Sequence, residues 1–248
     1  MRMSERILTK ELKKRGYIQR GKSYMRVVGD GVFQHILLGF KERLHTSSPG
    51  HSLTHRYEPR ILIYLKSMYA LYDGSYIGID CTNGFSLTVP ELLDKQGAPF
   101  MGASGELERM LNEGLDVLDR ITTQHQIIEC LEPLMIVKYE EPRYSTQLYD
   151  MYLYQEEFYK ARMAIATEFA ENYFANMSNL KRHPDLFSEK MHRFLAHAEE
   201  YWEQYELTWP VQYDESKNRL QNNFAVNSNR LKALGIPLTE QGTKECSE

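Results

Sequence analysis

The 248-residue chain predicts an α+β protein: an antiparallel sheet with covering helices in the N-terminal half, and a helical, bundle-like C-terminal half. Three observations lead there. Two turn signals, Gly29-Asp30-Gly31 and Asn83-Gly84, lie between apolar runs and predict hairpins, hence antiparallel pairing. From Thr146 onward the apolar residues follow three- and four-residue steps, the period of a helix. A composition of 42% hydrophobic and 26% charged residues is that of a globular chain able to bury a core without staples.

The elements follow in order. Ser4 reads as a helix N-cap, Ile7, Leu8, Glu11 and Leu12 keep helical spacing, and Gly16 stands where a C′ glycine ends a helix. Lys13, Lys14 and Arg15 in the last turn suit the negative end of the helix dipole. Asp30-Gly31 is expected as a two-residue turn with positive φ at both positions, joining Tyr24–Val28 to a strand from Val32. In that strand Val32, Gln34, Ile36, Leu38 and Phe40 share one face, and Phe33, His35, Leu37 and Gly39 the other. Both faces are largely apolar, which places the strand inside the sheet. Residues 41–58 read as a polar loop, Ile61–Leu65 as a third strand, and Tyr76–Cys81 with Phe85–Val89 as a second hairpin. Pro90 begins a short turn or helix that ends by Gly97. Ser104 then caps a helix whose stripe, Leu107, Met110, Leu111, Leu115, Leu118 and Ile121, is expected to lie across the sheet. Leu131–Tyr139 stays open between a strand and a fresh start at Pro133.

The second half predicts helices over 146–177, 187–206 and 213–233, linked at His183-Pro184 and Trp209-Pro210, with Gly235 just past the last. The expected organisation is an α+β domain over 1–130, a linker or extra strand at 131–145, a helical region over 146–236 and a frayed tail at 237–248.

Charge is segregated. Residues 1–26 hold nine cations, Arg2, Arg6, Lys10, Lys13, Lys14, Arg15, Arg20, Lys22 and Arg26, against Glu5 and Glu11. The segment is strongly basic while the whole chain carries −4. A cationic lobe on an acidic body is an electrostatic contact surface, and a pI near 6.1 excludes a protein that coats nucleic acid or membrane everywhere. Tyr17 and Tyr24 interleave with the cations, as on nucleic-acid surfaces. Two other uses compete: docking an acidic protein, and packing against the chain's own acidic half. The 17 tyrosines suit interfaces and cores alike. Cys81, Cys130 and Cys246 are far apart and odd in number, which fits a reducing compartment. The start of the chain is amphipathic rather than a secretory signal, and no run reaches the roughly 18 apolar residues of a membrane span. A cytoplasmic protein without a membrane partner is expected.

The stretch Ile7-Leu8, Leu12-Lys13, Gly16-Tyr17-Ile18, Gly21, Tyr24, Arg26 and Asp30-Gly31-Val32-Phe33-Gln34-His35-Ile36 resembles the opening of a bacterial family catalogued as domain of unknown function 4304. The shared pattern is a short helix, a Gly-aromatic step followed by a cation and glycine, then a hairpin from an arginine strand into a "V-x-Q" strand. The resemblance covers about residues 7–125 and implies an α+β domain. It transfers no catalytic residue, and it suggests a link to toxin–immunity or phage-defence systems. The chain departs from the pattern at 41–58 and after 146.

Chemical motifs are sparse. His45, His51 and His55 share one polar segment, and a pair four apart chelates a metal when it lies on a helix. Pro49 and Gly50 argue against a helix there. His192 and His197 lie about 140° apart on a helix, poorly placed to share an ion. Asp73 with Asp80, and Glu140 with Glu141, are paired acids with nothing to fix their geometry. Gly102-Ala103-Ser104-Gly105 before a helix is a cap more simply than an anion site, because Glu106 and Glu108 repel phosphate. No nucleophile-elbow, Walker or dinucleotide glycine pattern occurs. The expected function is a non-enzymatic protein-binding module, immunity-type or phage- and defence-linked. Its binding residues are Lys13, Lys14, Arg15, Tyr17, Arg20, Lys22, Tyr24 and Arg26, with no cofactor and no metal. A nucleic-acid-binding protein using the same lobe is the alternative, and a metal-assisted hydrolase the second alternative.

Overall fold

The computed structural model describes residues 3–45, 54–70, 86–95, 105–139, 148–186 and 189–238. Five antiparallel strands form one meander, β1 (Ile18–Arg20), β2 (Ser23–Val28), β3 (Val32–His45), β4 (Thr54–Ser67) and β5 (Ser86–Leu87), ordered as in the sequence. The fold is α+β. Its central strand is β3, the one whose two faces are both apolar.

One face of the sheet carries the main core. Leu8 and Leu12 of α1 (Met3–Lys14) pack there with Ile36, Ile63 and Leu65 of the sheet. They are joined by Leu115 and Leu118 of α4 (Leu115–Arg120), Ile127 and Leu131 of α5 (Gln124–Tyr139), and Met151 and Tyr152 of α6 (Tyr149–Tyr154). Each such fully buried aliphatic side chain contributes about 1.5–3 kcal/mol. The opposite face is covered too. Met25, Val27, Phe33 and Met68 pack against Leu231 and Ile236 from the end of the last helix, α9 (Ala198–Ala233).

Three other helical segments fill the N-terminal half. α2 (Val89–Asp94) starts on a capping box in which Thr88 and Glu91 satisfy each other's backbone N–H groups. α3 (Glu106–Arg109) runs through a π-helical turn at Met110–Gly114 into α4. In the second half, α7 (Phe158–Arg182) leads through a 3₁₀ turn at Pro184–Leu186 and α8 (Glu189–Ala196) into α9.

Several sequence expectations are corrected. Residues 41–45 and 54–58 are not loop: β3 and β4 pair in unbroken register out to His45↔Thr54, with Lys41 opposite Glu58. Backbone pairing continues because the ladder is made by main-chain N–H and C=O groups, which polar residues carry as apolar ones do. Ser4 lies inside α1 rather than at its cap. The hairpin at Asp30 has three residues, because Val28 pairs with Val32, and only Gly29 and Gly31 have positive φ. Val89 opens α2 instead of ending a strand, and the Tyr76–Cys81 strand with its Asn83-Gly84 turn lies outside the described residues. Leu131–Tyr139, expected as linker or strand, continues α5 through Pro133. The helix expected at 146–177 is two, broken at Glu156, whose φ is 58°. The N–H groups of Glu157 and Glu156 bond back to the carbonyls of Tyr152 and Leu153, a Schellman stop that tertiary packing of α6 imposes without a glycine. Trp209-Pro210 lies inside α9, because the buried positions from Ser216 to Leu231 anchor the helix beyond a weak point. Ile236 is 1% exposed and Leu238 packs beside it, so the chain stays docked past the point where fraying was expected.

Candidate docking surface

The basic N-terminal segment divides into cations the fold uses and cations it displays. α1 ends in a Schellman motif: Gly16 N–H bonds to Lys13 O and Tyr17 N–H to Leu12 O, both at 3.1 Å, with Gly16 at φ 81°. The last carbonyl of that motif, Arg15 O, accepts from Arg26 Nη1 at 2.8 Å. α9 ends in the same way, with Gly235 N–H to Lys232 O and Ile236 N–H to Leu231 O, both at 2.9 Å. There Leu234 O accepts from Arg20 Nη2 at 2.6 Å. One arginine from β1 and one from β2 therefore each seal a helix C-terminus, satisfying an orphan carbonyl at the negative end of a dipole.

Arg26 does more. Its Nε donates to Gln34 Oε1 at 2.9 Å and its Nη2 to Asp119 Oδ1 at 2.6 Å, and its guanidinium lies 4.3 Å from the Tyr17 ring centroid. The Tyr17 hydroxyl donates to the same Gln34 oxygen at 2.6 Å, while Gln34 Nε2 donates to the carbonyls of Leu118 and Ile121. Burial holds the Tyr17 phenol well above its usual pKa. Arg15 completes the group through Asp119 at 2.9 Å and Asp116 at 2.7 Å. This is a satisfied polar layer between α1, the sheet and α4. Tyr24 is 2% exposed, and its hydroxyl lies 2.8 Å from Thr9 Oγ1.

Of the eight expected site residues, Arg15, Tyr17, Arg20, Tyr24 and Arg26 thus bond within the fold. Lys13 and Lys14 are exposed on α1, and Lys22 is exposed in the β1–β2 turn. Lys14 also hydrogen-bonds Glu11 at 2.6 Å, which holds that carboxyl below its usual range. The structure adds Arg6, Ile7 and Lys10. At 3.6 residues per turn Arg6, Ile7, Lys10, Lys13 and Lys14 occupy an arc of about 120° on α1, and all are exposed, Ile7 by 45%. No acid falls within that arc. Helical spacing grouped Ile7 with Leu8 and Leu12, but Ile7 turns outward among the cations while those two leucines are buried.

The chemical candidates fare differently. Ser23 Oγ lies 3.0 Å from His35 Nε2, the spacing of a nucleophile and its base, but both residues are 0% exposed. His35 stacks on Tyr64 at 5.2 Å, and burial with the Lys66 charge lowers its pKa to about 4. Cys130 is buried, which pushes its thiol up to about 11, a protonated and inert group at neutral pH. His45 and His55 stand on β3 and β4, off register by one residue, and His51 lies outside the described residues. Asp73, Asp80, Glu140 and Glu141 lie outside them as well. A groove along α4 holds Glu113, Asp116 and Asp119, the last two already bound to Arg15. Among the described residues no group of three or more His, Cys, Asp or Glu could hold a metal ion, and no helix is long and apolar enough to cross a membrane.

No family model matches the chain, and neither a curated protein nor a solved structure matches it.

Proposed function

We propose that the chain is a non-enzymatic binding protein that docks an acidic protein surface on the exposed face of α1. One observation carries this reading: Ile7, 45% exposed, stands among Arg6, Lys10, Lys13 and Lys14. Cations steer an acidic partner, and a large apolar side chain ringed by charge offers contact area to an apolar counterpart, the pattern of a protein interface core with its polar rim. A phosphate backbone offers no such counterpart. Immunity-type inhibition is the form suggested by the toxin–immunity association. A cytoplasmic setting belongs to the same proposal, since widely spaced cysteines suit a reducing compartment.

The test is to recover the tagged chain from its native host at low and high salt, identify a stoichiometric protein, and measure association of the purified pair. Arg6→Glu, Lys10→Glu and Lys13→Glu together are expected to slow association by roughly tenfold or more and flatten its salt dependence. Ile7→Ala is expected to speed dissociation instead. An unchanged association rate for the triple variant removes α1 from the argument. Recovery of nucleic acid that disappears at high salt replaces this reading with the nucleic-acid alternative.

A further inference from the structure

The β3–β4 ribbon outruns the rest of the sheet. β2 stops pairing with β3 at Ser23↔Leu37, and β5 meets β4 only at Ile63 and Tyr64, whereas β3 and β4 stay paired to His45↔Thr54. In an antiparallel strand, alternate residues send their N–H and C=O groups to opposite neighbours. Leu38 donates to Lys22 O at 3.0 Å, so the even-numbered residues of β3 point toward the β2 side. Beyond Leu38 these are Phe40, Glu42 and Leu44, and among the described residues no strand lies beside them. The other edge of the ribbon is blunted. On β4 the outward residues are odd-numbered: Ile61 N–H is taken by the Glu106 carboxylate at 3.3 Å, and Pro59 has no N–H to offer.

We propose that the open edge of β3, Phe40–Leu44, receives an extended acidic segment of the partner protein as an added strand. The inference rests on the docking reading and names how the partner is gripped: backbone pairing supplies affinity and charge supplies selection. The charge argument is local. Lys41 and Arg43 flank Glu42 on this strand, and the edge opens where Lys22 ends the β1–β2 turn. α1 borders the same end, since Thr9 reaches Tyr24, two residues along from Lys22. A second copy of this chain is the poorer occupant. Antiparallel self-pairing that joins two or more outward amides centres on Lys41, Glu42 or Arg43. These registers oppose Lys41 to Lys41, Glu42 to Glu42 with Lys41 to Arg43, or Arg43 to Arg43. Like charges directly opposite are destabilising.

The probe is an acetylated, amidated heptapeptide alternating valine and glutamate, with a valine–lysine counterpart, titrated into the full chain while backbone amide exchange is followed. The acidic peptide is expected to protect the amides of Phe40, Glu42 and Leu44, and the lysine peptide to leave them unprotected. Glu42→Pro removes one outward N–H without touching the β3–β4 ladder and is expected to weaken binding roughly tenfold. Glu42→Thr keeps the N–H, removes a repelling carboxylate and is expected to bind at least as tightly. The acidic peptide N-methylated at alternate residues, tested on the unaltered chain, is expected to lose binding whatever Glu42→Pro does to the fold. Absence of protection, equal binding of the lysine peptide, indifference to N-methylation, or protection of these amides by a short DNA duplex instead overturns the proposal. If the α1 triple variant loses the partner while a folded Glu42→Pro chain keeps it with unchanged affinity, the edge proposal fails and the docking reading stands.

Discussion

Replacing Arg26 separates a cation that holds the fold from one that faces a partner. Arg26 is 8% exposed and makes three hydrogen bonds, to Gln34 Oε1, Arg15 O and Asp119 Oδ1. In Arg26→Met the carbonyl that closes α1 and one oxygen of Asp119 lose their donor. A buried charge left alone costs about 3–5 kcal/mol. The Asp119 side chain is 37% exposed and keeps Arg15, so its share is discounted. Adding the orphaned carbonyl brings the expected loss to about 3 kcal/mol. Arg26→Lys keeps the charge but cannot span three acceptors, and about 2 kcal/mol is expected to go. Urea unfolding followed by circular dichroism reads both, as a lower midpoint at unchanged m. Arg6→Glu and Lys10→Glu, on the displayed face, are expected to stay within about 0.5 kcal/mol of the parent. An Arg26→Met chain as stable as the parent would refute the division of the basic segment into structural and displayed cations.

Acid stability should report His35. Its imidazole is harder to protonate in the fold, near pH 4, than at its ordinary 6.5, because burial and the Lys66 charge disfavour the cation. The unfolded chain therefore takes up the proton first, and stability declines as pH falls from 6.5 to about 4, by about 3 kcal/mol, then levels off. His35→Phe, measured by unfolding across that range, is expected to flatten this limb. Gly29→Ala is expected to cost about 3 kcal/mol or more, since the new Cβ would overlap the backbone oxygen of Thr122 at φ +50°. Gly21→Ala, with φ +58° and open space, should lose only about 1 kcal/mol, both variants being read by urea unfolding. Glu156→Gly relieves a left-handed residue on an exposed side chain and is expected to gain about 1 kcal/mol.

Periodicity and turn chemistry carried the local structure. Two largely apolar faces in Val32–Leu38 placed a central strand, and the glycines at 16 and 235 marked helix ends that close as Schellman motifs. The same local signals misjudged where tertiary packing outweighs propensity. Pro133 and Pro210 lie within helices, and Glu156 ends one in a conformation normally left to glycine. Residues 41–45 and 54–58 read as loop because their sequence lacks the apolar alternation that signals a strand, while the main-chain pairing that joins them leaves no mark in the sequence.

The candidate site was legible as a charge excess in residues 1–26, but not as a surface. Sequence alone determined that the segment is cationic, that α1 ends at Gly16, and that an arginine strand precedes the Asp30 turn. Only the tertiary structure decided which cations are spent inside. Asp119 lies 93 residues from Arg26, and Leu234 lies 214 residues from Arg20. The pairing of a charge with an acceptor so distant depends on how helices pack over the sheet, which no local pattern encodes. What remains outward on α1 is the part of the charge that such long-range hydrogen bonds do not consume.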